Sequence, residues 1–133
     1  MKKLLPIFLS TLLFSGCVAS QNTTNTYRQI SMDEAVTIME QESGYIILDV
    51  RRPDEFASGH IPNAINVPNE TIGTAEIPEL PNKDQLIMVY CRSGRRSGRR
   101  SKEASEKLVK LGYTNIVEFG GILDWKGETV TDQ

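Results

Sequence analysis

The spacing of apolar residues follows a helical period in one part of the chain and a strand-like run in the next. Ser31 and Glu34 form a capping-box pair, and apolar side chains recur behind them at helical spacing, which predicts a helix over 32–42. Residues 45–50 (YIILDV) are then a continuous apolar run. Such a run is typical of a strand buried on both faces of a parallel sheet.

Helices and strands continue to alternate along the rest of the chain. The predicted strands lie at 64–67, 86–90 and 116–117. The predicted helices are a short one from Pro53, a longer one ending at Gly112 and a last short one within 120–125. This alternation predicts an α/β domain with a parallel sheet covered on both faces. Ligands of such sheets bind beyond the carboxyl ends of the strands, where Cys91 lies.

The first residues have the character of a signal peptide. Two lysines precede an apolar run over 4–14, which is shorter than the roughly 20 residues that a membrane-spanning helix needs. The run leads into 14–17 (FSGC), which resembles the lipobox of bacterial lipoproteins, with Phe14 where leucine is usual. The resemblance implies cleavage before Cys17 and lipidation of that cysteine. An ordinary secretory signal with a chance cysteine is the alternative.

The polar stretch after Cys17 has no apolar periodicity. We therefore expect three segments: a lipoprotein signal peptide over 1–16, a lipid-anchored flexible tether over 17–26 and a folded domain over 27–133. The expected location is extracytoplasmic, with the lipid anchored in the cell membrane or an outer membrane, on the periplasmic side in a Gram-negative cell. The lipid is the expected membrane contact, and a monomer is expected because the sequence has no heptad pattern.

Composition and charge exclude several classes of function. The 133 residues include 15 Lys and Arg against 17 Asp and Glu, and the net charge of −2 argues against a nucleic-acid-binding protein. With two cysteines and one histidine, the chain fits neither a disulfide-rich miniprotein nor a structural zinc module. It has no nucleotide-binding fingerprint either, so neither a metal nor a cofactor is predicted.

Cys91 is the residue at which the sequence predicts chemistry. It ends an apolar strand and starts a glycine-containing loop with four arginines in the nine residues 91–99. Backbone N–H groups at the start of the following helix, together with these cations, favour an anion and the thiolate of Cys91. The alternative, a small buried cysteine without function, fits such a cationic loop poorly.

Three motifs resemble those of the rhodanese-like family of single-domain sulfurtransferases. The first spans 48–68 and includes LDVR, EF and GHIPNAINVP, the second is 90–97 (YCRSGRRS), and the third is 120–125 (GGILDW). The resemblance covers nearly all of 28–126. It implies a three-layer α/β sandwich, with a central parallel sheet flanked by helices, and transfer of sulfane sulfur through a persulfide.

The resemblance also implies the site residues and the partners. Cys91 is the expected catalytic residue: it attacks the outer sulfur of a small anionic donor such as thiosulfate and passes that sulfur to a thiol or protein-thiol acceptor. The expected substrate-binding residues are Arg92, Ser93, Gly94, Arg95, Arg96 and Arg51.

Residues of the first motif have two possible roles. Asp49 and Arg51, at a strand's carboxyl end, either reach the rim of the site or form an ion pair that holds the following loop, and the ion pair is favoured. His60 is expected to be structural rather than a base, because a thiolate needs no base. Trp125, in the third motif, is expected to cover the sheet as a core aromatic.

One departure from the family pattern is a short repeat. The sequence RSGR at 92–95 is followed at once by RSGR at 96–99, and residues 98–101 resemble an insertion of about one helical turn. The insertion either lengthens the helix or widens the anion loop.

Three other functions compete with sulfur transfer. Cysteine phosphatases and arsenate reductases, some of which share this fold, place an arginine after the cysteine and five further residues. That position is Ser97 here, and Arg96 falls one residue short. A non-catalytic rhodanese-like binding module often lacks the cysteine that this chain keeps. A thiol redox protein usually needs a second, resolving cysteine, and a lipidated Cys17 cannot serve.

Overall fold

The computed structural model describes residues 26–73, 75–93 and 99–131. In these residues the chain forms one sheet and three α-helices. The strands are β1 (Arg28–Gln29), β2 (Ile46–Asp49), β3 (Ile65–Asn66), β4 (Ile87–Cys91) and β5 (Ile116–Gly121). The helices are α1 (Met32–Gln41), α2 (Pro53–Ser58) and α3 (Arg99–Lys110), and two 3-10 turns span Asn69–Thr71 and Ile122–Asp124.

All the strands run parallel, in the order β1-β5-β4-β2-β3. The predicted α/β fold, with a central parallel sheet flanked by helices, is thereby confirmed. Because β4 lies in the middle of the sheet, its carboxyl end is flanked by the ends of β2 and β5. Cys91 stands at that end, where ligands of parallel sheets bind.

Sequence signals set the ends of the first two helices. Ser31 Oγ accepts a hydrogen bond from Glu34 N at 3.1 Å, and Ser31 N donates to Glu34 Oε1 at 3.0 Å, so the capping box forms as predicted. Pro53 occupies the first turn of α2, and Gly59 ends that helix with a φ of 156°.

Prediction and structure differ mainly at the edge strand β1 and at the C-terminal end of β5. β1 has two residues, too few for a periodicity, and the hydrophobic pattern does not predict it. β5 extends to Gly121, past the predicted 116–117, because a bulge keeps the glycines within the strand. The last predicted helix is a 3-10 turn, Ile122–Asp124.

The sheet separates two apolar cores. Along β4, Val89 and Cys91 face the core under α3, whereas Met88 and Tyr90 face the core on the α1 side. Ala104, in α3, packs in the first of these cores. Cys91 therefore lies on the sheet face that α3 covers.

No helix in the described parts of the chain is long and apolar enough to cross a membrane. The predicted signal peptide over 1–16, Cys17 and all but the last residue of the predicted tether lie outside the described residues.

Candidate active site

Cys91 ends β4 with its side chain buried. Its Sγ lies 3.1 Å from Ser101 Oγ, 3.4 Å from the carbonyl oxygen of Ser93 and 3.8 Å from the carbonyl oxygen of Gly120. These three neighbours belong to α3, to the loop after β4 and to β5. The thiol is therefore held where three parts of the fold converge.

The loop after Cys91 is described at its start. Arg92 is exposed and Ser93 is half-buried. The other predicted substrate-binding residues of the loop, Gly94, Arg95 and Arg96, lie outside the described residues. Their contact with an anion stays a prediction.

The apparent insertion over 98–101 contributes to α3. Arg99, Arg100 and Ser101 form the first turn of the helix, while Gly98 lies outside the described residues. The described part of the insertion is therefore helical, and widening of the anion loop, the other interpretation, stays a prediction. The first turn of α3 brings two polar side chains, those of Arg100 and Ser101, to the site.

A bulge in β5 shapes the wall beside the thiol. Val89 pairs with Glu118 but Cys91 pairs with Gly121, so β5 has one residue more than β4 in this interval. Gly120, within the bulge, has a φ of 102°, which favours glycine. The bulge turns the end of β5 towards the start of the loop that follows Cys91.

Ser101 and Glu118 form a buried polar pair behind Cys91. Ser101 is fully buried and donates a hydrogen bond to Glu118 Oε2 at 2.6 Å. Glu118 is 3% exposed and also accepts hydrogen bonds from Gly120 N at 3.1 Å and Gln29 Nε2 at 3.3 Å. The hydroxyl of Ser101 therefore lies between the Cys91 thiol and the Glu118 carboxylate.

The sequence analysis did not select Ser101 or Glu118 as site residues. Ser101 fell within the apparent insertion. Glu118 interrupts an apolar strand, and the two-residue period of the strand places it on the same face as Ile116, where a core residue is expected. An acid at a core-facing position was the available signal.

Arg100 contributes a positive charge that is already paired. Its Nη1 lies 2.7 Å from Glu55 Oε1 and its Nη2 lies 3.3 Å from Glu55 Oε2, which joins α3 to α2. The hydrogen bond that Arg100 donates to Glu55 raises the pKa of the Arg100 guanidinium, and the nearby Cys91 side chain contributes to the shift. A permanent cation thus stands close to the thiol.

Comparison with known proteins decides the family. Residues 31–128 match the family described as the rhodanese-like domain. The chain belongs to the rhodanese-like family. The interpretation of its three sequence motifs is confirmed at the level of the family.

Two relatives of this rhodanese-like domain are named as sulfurtransferases. Thiosulfate sulfurtransferase PspE of Escherichia coli (strain K12) is 35% identical over 77 residues, which cover 58% of this chain and 70% of the relative. A sulfurtransferase of Allochromatium vinosum is 37% identical over 81 residues, which cover 60% of this chain and 70% of the relative. A solved structure described as a rhodanese with anions from E. coli is 31% identical with a TM-score of 0.58, covering 66% of this chain and 99% of that one. These relatives support a general sulfurtransferase function.

Asp49 and Arg51 form the buried ion pair that was the favoured interpretation. Arg51 Nη2 lies 2.7 Å from Asp49 Oδ2, and Arg51 N donates to Asp49 Oδ1 at 2.9 Å. Arg51 Nη2 also donates to the carbonyl oxygen of Gly59 at 2.8 Å, and the guanidinium lies 5.8 Å from the ring centroid of Tyr90. These contacts favour a structural role for Arg51, and its contact with a substrate stays a prediction.

His60 and Trp125 have packing roles in the rhodanese-like domain. His60 is 1% exposed, its Nδ1 lies 2.9 Å from the carbonyl oxygen of Phe56, and the two rings stack with centroids 3.7 Å apart. Trp125 is half-buried against the core on the α1 side, and its Nε1 donates to the carbonyl oxygen of Glu128 at 2.9 Å. Both arrangements fit the structural roles expected from the sequence.

The chemistry of the site is that of a thiol and its hydrogen-bond partners. Among the residues that the structure describes, no cluster of three or more His, Cys, Asp or Glu side chains could hold a metal ion. The groups brought together are a buried thiol, a hydroxyl, a carboxylate and a paired guanidinium. This set suits a nucleophilic sulfur whose proton and charge are controlled by its neighbours.

Proposed function

We propose that this rhodanese-like domain transfers sulfane sulfur from an anionic donor such as thiosulfate to a thiol acceptor, with a persulfide on Cys91 as the intermediate. The observation that carries the proposal is the buried thiol of Cys91 at the carboxyl end of the central strand, 3.1 Å from Ser101 in the first turn of α3. The sulfurtransferase relatives support the same chemistry.

The transfer has two displacement steps. In the first, the Cys91 thiolate attacks the outer sulfur of thiosulfate, the sulfur–sulfur bond of the donor breaks, and sulfite leaves with the bonding electron pair. In the second, an acceptor thiolate attacks the outer sulfur of the Cys91 persulfide and takes that sulfur. The Cys91 thiolate leaves with the electron pair and is ready for the next donor.

Arg92 is the described cation that we assign to donor binding. It is exposed next to Cys91, whereas the guanidinium of Arg100 is paired with Glu55 at 2.7 Å. A doubly charged donor gains most from a cation that has no carboxylate partner to compete with it. Arg95 and Arg96 are the further candidates in the same loop.

Formation of thiocyanate from thiosulfate and cyanide by the full chain tests this function. Cys91→Ser should abolish the reaction, and Arg92→Gln should raise the KM for thiosulfate by about tenfold, the effect of losing one charge-assisted contact. Lys110→Gln, which removes an exposed cation at the far end of α3, is the matched control and should leave KM unchanged.

Two results would overturn the proposed function. One is the absence of thiocyanate formation by wild-type protein whose Cys91 is reduced, with no sulfur uptake from other persulfide donors. The other is Cys91-dependent hydrolysis of an aryl phosphate without sulfur transfer, which would support the phosphatase alternative.

We also propose that lipid on Cys17 holds the domain at an extracytoplasmic membrane surface, through the tether over 17–26. The basic start, the short apolar run and the FSGC motif support this location. Cell fractionation of the full chain and of Cys17→Ser tests it: the wild type should sediment with membranes and the variant should be released. Equal distribution of both proteins would contradict the anchor.

A further inference from the structure

We propose that Ser101 and Glu118 take the proton of the Cys91 thiol: Ser101 passes it on and Glu118 holds it, so that the thiolate forms inside the buried site. This inference rests on the proposed sulfur transfer and assigns a proton acceptor to it. Ser101 contacts the reacting sulfur directly, whereas Glu118 acts through Ser101 as a positioning residue.

Two hydrogen bonds connect the thiol to the carboxylate. Ser101 Oγ lies 3.1 Å from Cys91 Sγ and 2.6 Å from Glu118 Oε2. A serine hydroxyl has one proton to donate, and a carboxylate is its stronger acceptor here, so the hydroxyl donates to Glu118. The serine oxygen then presents a lone pair to the sulfur and accepts the S–H of Cys91.

Glu118 is buried without an ion-pair partner among the described side chains. Besides the serine hydroxyl, its carboxylate accepts hydrogen bonds from two neutral donors, Gly120 N and Gln29 Nε2, and it belongs to none of the ion pairs in the described residues. The other buried carboxylate among the described residues, that of Asp49, is held by the Arg51 guanidinium at 2.7 Å. Protonation of Glu118 therefore breaks no ion pair, whereas protonation of Asp49 would.

The proposed step moves two protons and no electrons. The S–H bond of Cys91 breaks and its proton goes to Ser101 Oγ, while the O–H bond of Ser101 breaks and that proton goes to Glu118 Oε2. The products are a thiolate that accepts a hydrogen bond from Ser101 and a neutral carboxylic acid. The negative charge moves from the Glu118 carboxylate to the Cys91 sulfur. The total charge of the three side chains is −1 before and after the step.

Other charged and titratable groups face this chain of hydrogen bonds from two sides. Next to β1, the phenol of Tyr27 has its pKa raised, first by burial and then by Glu106 and Glu118, so it stays protonated. On α3, the Arg100 guanidinium lies near the thiol and has a raised pKa, so it stays charged. Neither Tyr27 nor Arg100 changes its charge between about pH 5 and pH 8.

The rate of Cys91 alkylation by iodoacetamide, measured in the full chain on the tryptic peptide 84–92, tests the relay between about pH 5 and pH 8. When thiol and carboxylate share one proton, a constant fraction of the protein holds the thiolate, and the rate has a pH-independent plateau. Glu118→Gln removes the acceptor, so its rate should fall about tenfold per pH unit towards acid. Ser101→Ala removes a hydrogen bond to the thiolate and should lower the plateau by about tenfold.

Two further variants sharpen the test. Ser105 is buried one turn along α3 and donates to the carbonyl oxygen of Ser101 at 2.8 Å, so Ser105→Ala is the matched control and should keep the wild-type plateau. The double variant Ser101→Ala/Glu118→Gln should show the same slope with pH as Glu118→Gln alone, because removal of the acceptor already abolishes the plateau. Circular dichroism of each variant establishes that it is folded.

The same pH dependence of the rate in wild type and in Glu118→Gln, whether both rates fall or both stay constant, would overturn the relay. If Glu118→Gln does not fold, Ser101→Ala tests the relay instead. A plateau rate in Ser101→Ala equal to that of the wild type would overturn the relay. Alkylation needs no sulfur donor. A failed relay is therefore distinguishable from a failed sulfur transfer, in which Cys91 takes up no sulfur whatever the alkylation profile.

Discussion

Gly121 lies directly against the main chain of Arg92. A Cβ atom at Gly121 would stand 2.4 Å from the carbonyl oxygen of Arg92 and 2.5 Å from Ser93 Cα. The same carbonyl oxygen accepts a hydrogen bond from Leu123 N at 3.1 Å. The end of β5 therefore fixes the first residues of the loop that follows Cys91.

Gly121→Ala should displace that loop and slow sulfur uptake by Cys91. The φ of Gly121 is −139°, which any residue adopts, so the effect is steric: the methyl group meets backbone atoms that cannot rotate away. We expect a loss of about 1–3 kcal/mol in the free energy of unfolding and a lower rate of Cys91 alkylation. Gly73→Ala, where a Cβ meets nothing within 4 Å, is the control. Wild-type reactivity in Gly121→Ala would show that the contact is unimportant.

The ion pair between Arg100 and Glu55 should stabilise the domain above the acid range. Its side chains are 22% and 16% exposed, and the hydrogen bond from Arg100 lowers the pKa of the Glu55 carboxyl from its ordinary value. A carboxyl whose pKa is lower in the folded state stabilises the protein above its unfolded pKa, and the contribution is lost as pH falls through the folded pKa.

Urea unfolding of wild type and Arg100→Gln measures this pH dependence. At neutral pH the variant should be less stable by about 1 kcal/mol, and the two stabilities should converge as the pH falls below about 4. Lys110→Gln, at the other end of α3, should follow the wild type. A stability difference that is the same at neutral and acid pH would contradict the prediction.

Arg51→Met tests whether Arg51 is structural or binds substrate. It leaves the Asp49 carboxylate, which is fully buried, without its guanidinium. A loss of about 3–5 kcal/mol in the free energy of unfolding is expected, because an uncompensated buried charge is costly. Arg52→Gln, at the exposed pair with Asp54, should leave stability nearly unchanged. Unaltered stability of Arg51→Met together with a raised KM for thiosulfate would instead support substrate binding.

The fold could largely be predicted from the sequence because its central strands are buried on both faces. β4 is an uninterrupted apolar run, β2 is apolar up to Asp49, and the capping box marks the start of α1. β1 could not be predicted in this way. It has two residues, and it exists because Arg28 pairs with Val117, a partner distant along the chain.

The candidate site could be predicted in part. Cys91 could be predicted as a site residue because it stands after an apolar strand and before a run of arginines and glycines. The contact between Ser101 and Glu118 depends on the helical phase of α3 and on the bulge in β5. The helical spacing of Ala104 and Leu108 places Ser101 on the buried face of α3. The bulge is not encoded in a hydrophobic pattern, so the contact between Ser101 and Glu118 becomes visible only in the folded chain.

A persulfide on Cys91 is the central claim, and its mass tests that claim most directly. The full chain is incubated with thiosulfate, treated with iodoacetamide and digested with trypsin without reductant, with Cys91→Ser alongside. Peptide 84–92 of the wild type should gain one sulfur atom, cyanide added before the iodoacetamide should remove it as thiocyanate, and the variant should gain none. A reduced, alkylatable Cys91 that gains no sulfur from thiosulfate or from any other persulfide donor would contradict the account.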